Sequence, residues 1–463
     1  MHGRRERATR DADTAAWPGE WVSERLGVRL DEGLRGLLGL ALRRNPKRAH
    51  LLVSTVLGKH VPQRPAAVLG AGRRLGERVR ELLGADEAAR SAVLGFAETA
   101  TGLGLTVAHA MGSRVSALHS TRRAVPGAER FGGFEEEHSH ATSHLLLPED
   151  PEQLRTGGPL VLVDDELSTG RTVRNTIAAL HAAAPRARYV VAALVDTRAE
   201  ADVAALEKCA ADLGVRVDVV ALASGRVALP HDVLARGRAL VEAHGAAPAA
   251  PPAAARGTLR RVELGWPEEL PDGGRHGFGP REQTRLEAAL PAMAERVLSA
   301  LALPEVAGEP PRVLVLGNEE LMYAPLLLAR AVEERTAGRA EIRFSTTTRS
   351  PVLPVDDPGY AIRTALRFPA HDTPQQAGPQ QQPHPQEPQE LPQSQEPQEL
   401  WEPQESQQSQ EPQERYAYNV VGGGFDAVVA VVDSEGDTPA LHAPGGLLDQ
   451  LTGCAPAVLL AVV

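Results

Sequence analysis

The chain reads as an α/β protein with a parallel, doubly wound sheet, and three observations carry that reading. Residues 161–172, VLVDDELSTGRT, pass from an apolar run through two adjacent carboxylates into a hydroxyl-rich turn that opens a helix. Similar apolar runs recur at Val93 and Leu94, at 189–195 and at 217–222, with helical segments between them. Alternation of that kind specifies parallel strands joined by crossover helices. A second series of strand, polar loop and helix follows a Pro/Ala-rich spacer, at 312–334, 341–368 and 425–437. A chain of 463 residues has room for two such units, each with its own core.

Within the first stretch, Val161, Leu162 and Val163 extend the run begun by Pro159 and Leu160, as in a strand buried on both faces. Asp164 and Asp165 then stand at its carboxyl end, where ligands bind in open α/β sheets. Carboxylates only accept hydrogen bonds, so they suit sugar hydroxyls or a hydrated magnesium ion. Ser168, Thr169, Gly170 and Thr172 bring hydroxyls and backbone amides to a helix N-terminus, which suits a phosphate. The plainer alternative is an ordinary strand-turn-helix with a capped N-terminus.

The string resembles the phosphoribosyl-pyrophosphate (PRPP) signature of type I phosphoribosyltransferases: an apolar strand, two acids and a Thr-Gly-x-Thr phosphate loop. Glu166 and Arg171 depart from that pattern, since an apolar residue and a glycine are commoner there. The resemblance implies a Rossmann-like parallel sheet in the first domain. It implies PRPP contacts from Glu166, Leu167, Ser168, Thr169, Gly170, Arg171 and Thr172, with magnesium held by Asp164 and Asp165 mostly through water. Its expected partners are PRPP and a small-molecule acceptor, and it admits a homodimer.

Composition narrows the field. A net charge of −11 with only 3% aromatic residues offers neither a basic groove nor base-stacking platforms, so no nucleic-acid partner is expected. Cys209 and Cys454 lie far apart and form no CxxC pair, as in a reducing compartment. Residues 1–16 are charged without an apolar core, and no apolar run is long enough to span a bilayer. The expectation is a cytoplasmic protein without a membrane partner.

The expected organisation is a flexible tail at 1–20, a phosphoribosyltransferase domain at 21–244, a linker at 245–256 and a second α/β domain at 257–463. In the first domain, residues 34–42 mix leucines with glycines before a basic stretch at whose Pro46 any helix must end. Residues 49–65 read as strand-like and leave through Gly58, Lys59 and His60, where Lys59 either reaches an anionic ligand or sits in a solvated loop. Leu75, Val79, Leu82 and Leu83 recur at helical spacing and read as core.

Residues 92–111 supply the second chemical stretch, strand, small-residue loop and helix. Ala97, Glu98, Thr99, Ala100, Thr101 and Gly102 are small enough to let backbone amides approach a ligand. By the same resemblance, this loop holds pyrophosphate. Residues 121–148 follow, with Arg122 and Arg123 suited to phosphate oxygens and a Glu/His-rich run after them. The resemblance makes that run a catalytic lid, with Arg122, Glu136 and His138 beside Asp164 and Asp165 as catalytic residues. A plain polar loop and a metal site built on HSHxxxH are the alternatives.

In the second unit, Glu319, Glu320 and Tyr323 leave one strand, Arg349 and Ser350 another, and Asp433 a third, so a second crevice is expected there. Arg349 either grips a phosphate or pairs with Glu319, Asp433 or another neighbour. The Thr348-Arg349-Ser350-Pro351 string, with EELMY and RYAYNV, resembles the TRSP domain found beside orotate-phosphoribosyltransferase-like domains in bacterial tellurite-resistance and stress-response gene clusters. That resemblance implies a role in making a nucleoside-like metabolite. Residues 373–414 are almost entirely Gln, Pro and Glu and read as a disordered insert.

The function expected from all this is magnesium-dependent transfer of a phosphoribosyl group with release of pyrophosphate. A PRPP- or nucleotide-sensing regulator without turnover is the alternative from another class, and a scaffold recruiting partners through the insert is a third.

Overall fold

The computed structural model describes residues 16–44, 48–112, 114–123, 125, 127–135, 143–155, 157–245, 256–303, 309–371 and 413–463. The lid residues Glu136 and His138, and nearly all of the linker and the insert, lie outside the described residues.

The first domain is built on five parallel strands in the order Arg216–Ser224, Arg188–Asp196, Leu160–Leu167, Ala92–Gly95, Ser116–His119. The winding reverses between Leu160–Leu167 and Ala92–Gly95, which pair from Ala92 with Leu160 to Gly95 with Val163. A crevice opens at such a reversal, because the connections leave the two strands toward opposite faces. Both faces are covered, which is why Leu160 to Val163 is apolar without alternation. Val93, Val161 and Val163 pack under the helices Pro65–Ala89 and Thr101–Met111. Leu94, Leu162 and Val191 pack against Val173, Ile177 and Leu180 of the helix Arg171–Ala183. Of the four residues expected to form the core face of Pro65–Ala89, Leu75, Val79 and Leu83 are buried, whereas Leu82 is 37% exposed. Leu82 and Leu83 are adjacent, a turn of 100° apart, and only one of them can face the sheet.

The second domain repeats the plan with parallel strands in the order Thr258–Val262, Ala457–Val462, Ala427–Val432, Arg312–Gly317, Glu341–Thr346. Its inner face, with Val313, Val315, Ile342 and Phe344, meets the helices Pro280–Leu301 and Tyr323–Thr336, and these share one apolar cluster with the first domain's helices. Its outer face buries Leu314, Val428 and Leu460 against Leu447, Leu448 and Leu451.

Residues 34–42, with their glycines, enter a strand, Leu38–Arg43, antiparallel to His50–Ser54. The hairpin is extended by Val352–Leu353 from the second half of the chain. Tyr360 locks the junction: its hydroxyl accepts from the Leu42 amide at 2.6 Å and donates to the Leu353 carbonyl at 2.6 Å. The N-terminal stretch joins the folded body earlier than expected, since the Trp17 indole N–H donates to the Leu38 carbonyl at 2.8 Å and Trp21 is buried. At the other end, Glu414 opens the strand Glu414–Tyr418, paired with Ala365–Pro369, so it belongs to a hairpin and not to the insert. No helix among the described residues is long and apolar enough to cross a membrane.

Candidate active site

The strand Leu160–Leu167 continues through the acidic pair and ends at Leu167. Leu167 therefore points its side chain into the core and offers a ligand only its backbone. Asp164 and Asp165 are half-buried, and an Asp164 carboxylate oxygen accepts the Asp165 amide at 2.9 Å. Ser168, Thr169 and Thr172 stay half-open and Arg171 exposed. Gly170 takes φ +64° as the residue that admits the chain to the helix Arg171–Ala183, a conformation glycine adopts without a Cβ penalty. The hydroxyl-rich turn thus sits at a helix N-terminus with solvent access, as a phosphate site requires. Glu166 keeps part of its surface open, yet its carboxyl is screened from water: burial and then Asp165 push it up to about 7, against Arg48 and Arg43.

Of the residues expected to meet pyrophosphate, 96–100 form the loop proper, Thr101 and Gly102 already open the helix Thr101–Met111, and the segment is less open than the sequence suggests. Ala97, Glu98, Ala100, Thr101 and Gly102 are buried, and Thr99 alone is half-exposed. Gly95 is required by close approach, since a Cβ there would lie 2.5 Å from the Ala100 carbonyl oxygen. The Ala97 amide donates to Ser120 Oγ at 2.9 Å. The Glu98 carboxylate accepts from Lys59 Nζ at 2.9 Å, from Thr348 Oγ1 at 3.0 Å and from the Arg349 amide at 3.2 Å. Burial would raise its pKa, but Lys59 and then Arg349 overcome burial and hold it down at about 2. Lys59 is 4% exposed, so it meets the loop's own carboxylate rather than reaching freely for an anion.

Arg122 lies at the rim. Its amide donates to Glu320 at 2.7 Å, Thr121 Oγ1 donates to the same carboxylate at 2.6 Å, and its guanidinium lies 3.5 Å from His144 Nε2. His144 is fully buried, stacked on Phe134 with ring centroids 4.6 Å apart and paired through Nδ1 with Ser120 Oγ at 2.8 Å. It supports the loop from below, and His138 and His140 of the HSHxxxH run lie outside the described residues. No group of three or more His, Cys, Asp or Glu able to hold a metal occurs among the described residues.

The second-domain candidates do not form a separate open crevice. Glu319 is buried between the guanidinium groups of Arg349 and Arg415, the plainer of the two readings of Arg349. Glu320 turns to Thr121 and Arg122, and is held below the usual carboxylate range: burial opposes this, and Arg275 and His119 outweigh it. Asp433 pairs with Arg123 at 2.6 Å and Arg275 at 3.5 Å. Tyr323 is core, edge-on to Phe278, its hydroxyl donating to Gln283 at 2.9 Å. Ser350 is held through its backbone, its carbonyl accepting from Tyr418 at 2.6 Å. Glu320, Asp433 and the Arg349 amide face the first domain because the carboxyl ends of both sheets meet at one interface, whereas Glu319, Tyr323 and Ser350 are held by partners within their own. Sequence reading missed that Thr348 acts on Glu98, since 250 residues separate them. A cavity of about 370 Å³ lined by Leu105, Ala108, Phe278 and Gln283 lies toward the far end of the helix Thr101–Met111, on the side of Tyr323, which contacts Phe278 and Gln283.

Among solved structures, the adenine phosphoribosyltransferase of Rhodothermus marinus is 18% identical over 42% of this chain and 97% of its own, with a TM-score of 0.30. That of Giardia lamblia, complexed with 9-deazaadenine, is 20% identical over 41% and 94%, TM-score 0.30. The orotate phosphoribosyltransferase of Aeropyrum pernix is 21% identical over 44% and 92%, TM-score 0.24. No curated protein matches the chain. Residues 37–226 match the family described as phosphoribosyl transferase, and residues 272–383 the family described as the TRSP domain C-terminal to it. The chain thus pairs an α/β unit of the type I phosphoribosyltransferase fold, matching the phosphoribosyl transferase family over 37–226, with a second unit matching the TRSP domain over 272–383.

Proposed function

We propose that the protein transfers the phosphoribosyl group of PRPP to a small-molecule acceptor and releases pyrophosphate. The observation that carries this reading is the acidic pair Asp164 and Asp165 beside the half-open Ser168 to Thr172 turn, at the reversal of a parallel sheet in a domain of this family. In the reaction the bond from C1 of the ribose to pyrophosphate breaks, with its electron pair leaving on the pyrophosphate oxygen, and a bond from C1 to the acceptor forms. Positive charge gathers on the sugar and negative charge on the leaving group, so catalysis comes from positioning and electrostatics. Asp164 and Asp165 hold the ribose hydroxyls, the 168–172 turn holds the 5′-phosphate, and Arg122 with the Thr99 segment meets the pyrophosphate.

Two adjacent hard oxygen donors with solvent access fit a magnesium ion bound mostly through water and phosphate oxygens. Magnesium supplies charge compensation for the pyrophosphate. The TRSP resemblance favours a nucleoside-like product made in a cytoplasmic stress-response pathway. One observation favours a PRPP-sensing regulator instead: the pyrophosphate loop is largely buried, with Glu98 already satisfied. Incubation with magnesium, PRPP and a small-molecule extract separates the two. Pyrophosphate release and a new phosphoribosylated mass support transfer, whereas saturable PRPP binding without either would leave the sensor.

A further inference from the structure

The two domains agree in more than class. Disregarding the edge strand Thr258–Val262, each sheet carries its first four inner strands in the order fourth, third, first, second, with the reversal between third and first. Each first strand ends in nearly the same string, VLGFAE at 93–98 and VLGNEE at 315–320. Each second strand runs into Ser/Thr-Thr-Arg, at 120–122 and at 347–349.

The contacts between the domains are reciprocal in the same residues. Thr348 Oγ1 and the Arg349 amide bind the two oxygens of Glu98, at 3.0 and 3.2 Å. Thr121 Oγ1 and the Arg122 amide bind the two oxygens of Glu320, at 2.6 and 2.7 Å. Gln63, just ahead of the helix Pro65–Ala89, exchanges backbone hydrogen bonds of 2.8 and 2.9 Å with Phe344 in the second strand of the other domain. Phe278, just ahead of the helix Pro280–Leu301, does so with Ala117, at 2.8 and 3.0 Å. Four equivalent contacts in two reciprocal pairs are what a twofold relation between copies produces.

We propose that the TRSP domain is a degenerate copy of the transferase domain, docked on it as a second subunit would be, and that Thr348 and Arg349 are positioning residues for the pyrophosphate loop of the first. The copy has lost its own phosphate site. Where the first domain follows its acids with Ser168-Thr169-Gly170 and a long helix, the second follows Asp433 with Ser434-Glu435-Gly436-Asp437 and a helix of only Pro439–His442. Asp437 there is engaged by Arg261 at 2.7 Å and His442 at 2.8 Å. One phosphoribosyl site per chain remains, and the second copy's part is to hold Glu98, and with it residues 96–102, across the interface. The positioning role rests on the phosphoribosyl reading of the first site, whereas the duplication does not.

The test uses the full chain with Thr348→Val and Thr348→Ser, probed with magnesium pyrophosphate and with ribose 5-phosphate by calorimetry, and by amide hydrogen exchange without ligand. Thr348→Val should speed exchange in 96–102 and weaken magnesium pyrophosphate about tenfold, the loss of one hydrogen bond to a charged group. Ribose 5-phosphate affinity and exchange in 166–174 should not change, and Thr348→Ser should restore both readouts. Thr121→Val should speed exchange in 317–322 in the same way. Unchanged exchange in 96–102, or equal weakening of both ligands, overturns the positioning role. Exchange in 317–322 that ignores Thr121→Val overturns the reciprocity. If the unaltered protein binds neither probe, the phosphoribosyl reading fails, and the exchange measurements still decide whether the two clamps exist.

Discussion

A carboxylate as deeply buried as Glu98 is tolerable only because its partners are in place: removing one partner of a buried ion pair costs about 3–5 kcal/mol, which sets the importance of Lys59, with the neutral Thr348 hydroxyl contributing less. The acidic pair at 164 and 165 is under no such constraint, being half-open, and its value lies in its acceptor character. Asp164→Asn with Asp165→Asn should abolish magnesium-PRPP binding while leaving the melting temperature near that of the unaltered protein, because amide N–H groups then face hydroxyls and hydrated metal with the wrong polarity. Calorimetry with unchanged PRPP affinity would remove these residues from the site. Histidine sets a second expectation. Burial first, then Lys59 and Arg43 against Glu98, lower His60 to about 3; burial, Arg48 and Arg43 lower His50 to about 4. The unfolded chain takes up these protons below its ordinary value of 6.5, while the native protein refuses them until about 3 to 4. Stability present above 6.5 is therefore lost as pH falls, by on the order of 2 kcal/mol per histidine between pH 6.5 and 5. Glu98, depressed to about 2, adds a loss of the same sign below 4.5. His60→Gln should flatten the decline between pH 7 and 5 in denaturant titrations, and an unaltered slope would refute the assignment.

At the scale of elements, the insert tests how local the hairpin is. Ala365–Pro369 and Glu414–Tyr418 pair in register from Ala365 with Tyr418 to Pro369 with Glu414, and the Ala370 amide continues the ladder to the Gln413 carbonyl at 2.7 Å. The ladder thus closes at the base of the insert. Replacing residues 372–412 with a short Gly/Ser loop should change thermal stability little, because closure entropy varies as the logarithm of length, about 0.6 kcal/mol per doubling. A large fall in melting temperature would mean that the segment packs. The deletion should leave PRPP turnover alone as well, since the contacts the hairpin makes near the site, from Arg415, Tyr416 and Tyr418 to Glu319, Thr348 and Ser350, lie outside the replaced segment.

For the whole molecule, the two domains share one apolar cluster, and Val352–Leu353 completes a sheet begun by Leu38–Arg43. Residues 257–463 made alone would expose apolar surface of the helix Tyr323–Thr336 and leave the buried charges Glu320 and Asp433 without their partners Thr121, Arg122 and Arg123. That fragment should be insoluble or loosely packed by itself and should co-purify as a complex when produced with residues 16–244. The intact chain should melt in a single calorimetric transition; two independent transitions would show autonomous domains.

Certain features needed nothing but the chain. The strand at 160–167, its acids and the Gly170 turn were legible because both faces of a parallel strand demand apolar residues, and because a left-handed residue before a helix favours glycine. The strand Leu38–Arg43 was not, because its glycines and leucines fit a helix as readily, and only pairing with His50–Ser54 and Val352–Leu353 decides between them. The paired strings at 93–98 and 315–320 were present in the sequence, but nothing in a string says that two loops face one another. Lys59, Arg349 and Glu320 read as candidate ligand groups on one-dimensional grounds, since any exposed cation or carboxylate at a strand end could serve a ligand. Tertiary structure turned the carboxyl ends of the two sheets together, and burial there required each charge to find partners: Lys59 for Glu98 within its own domain, and Thr348, Thr121 and the Arg123–Asp433 pair across the interface.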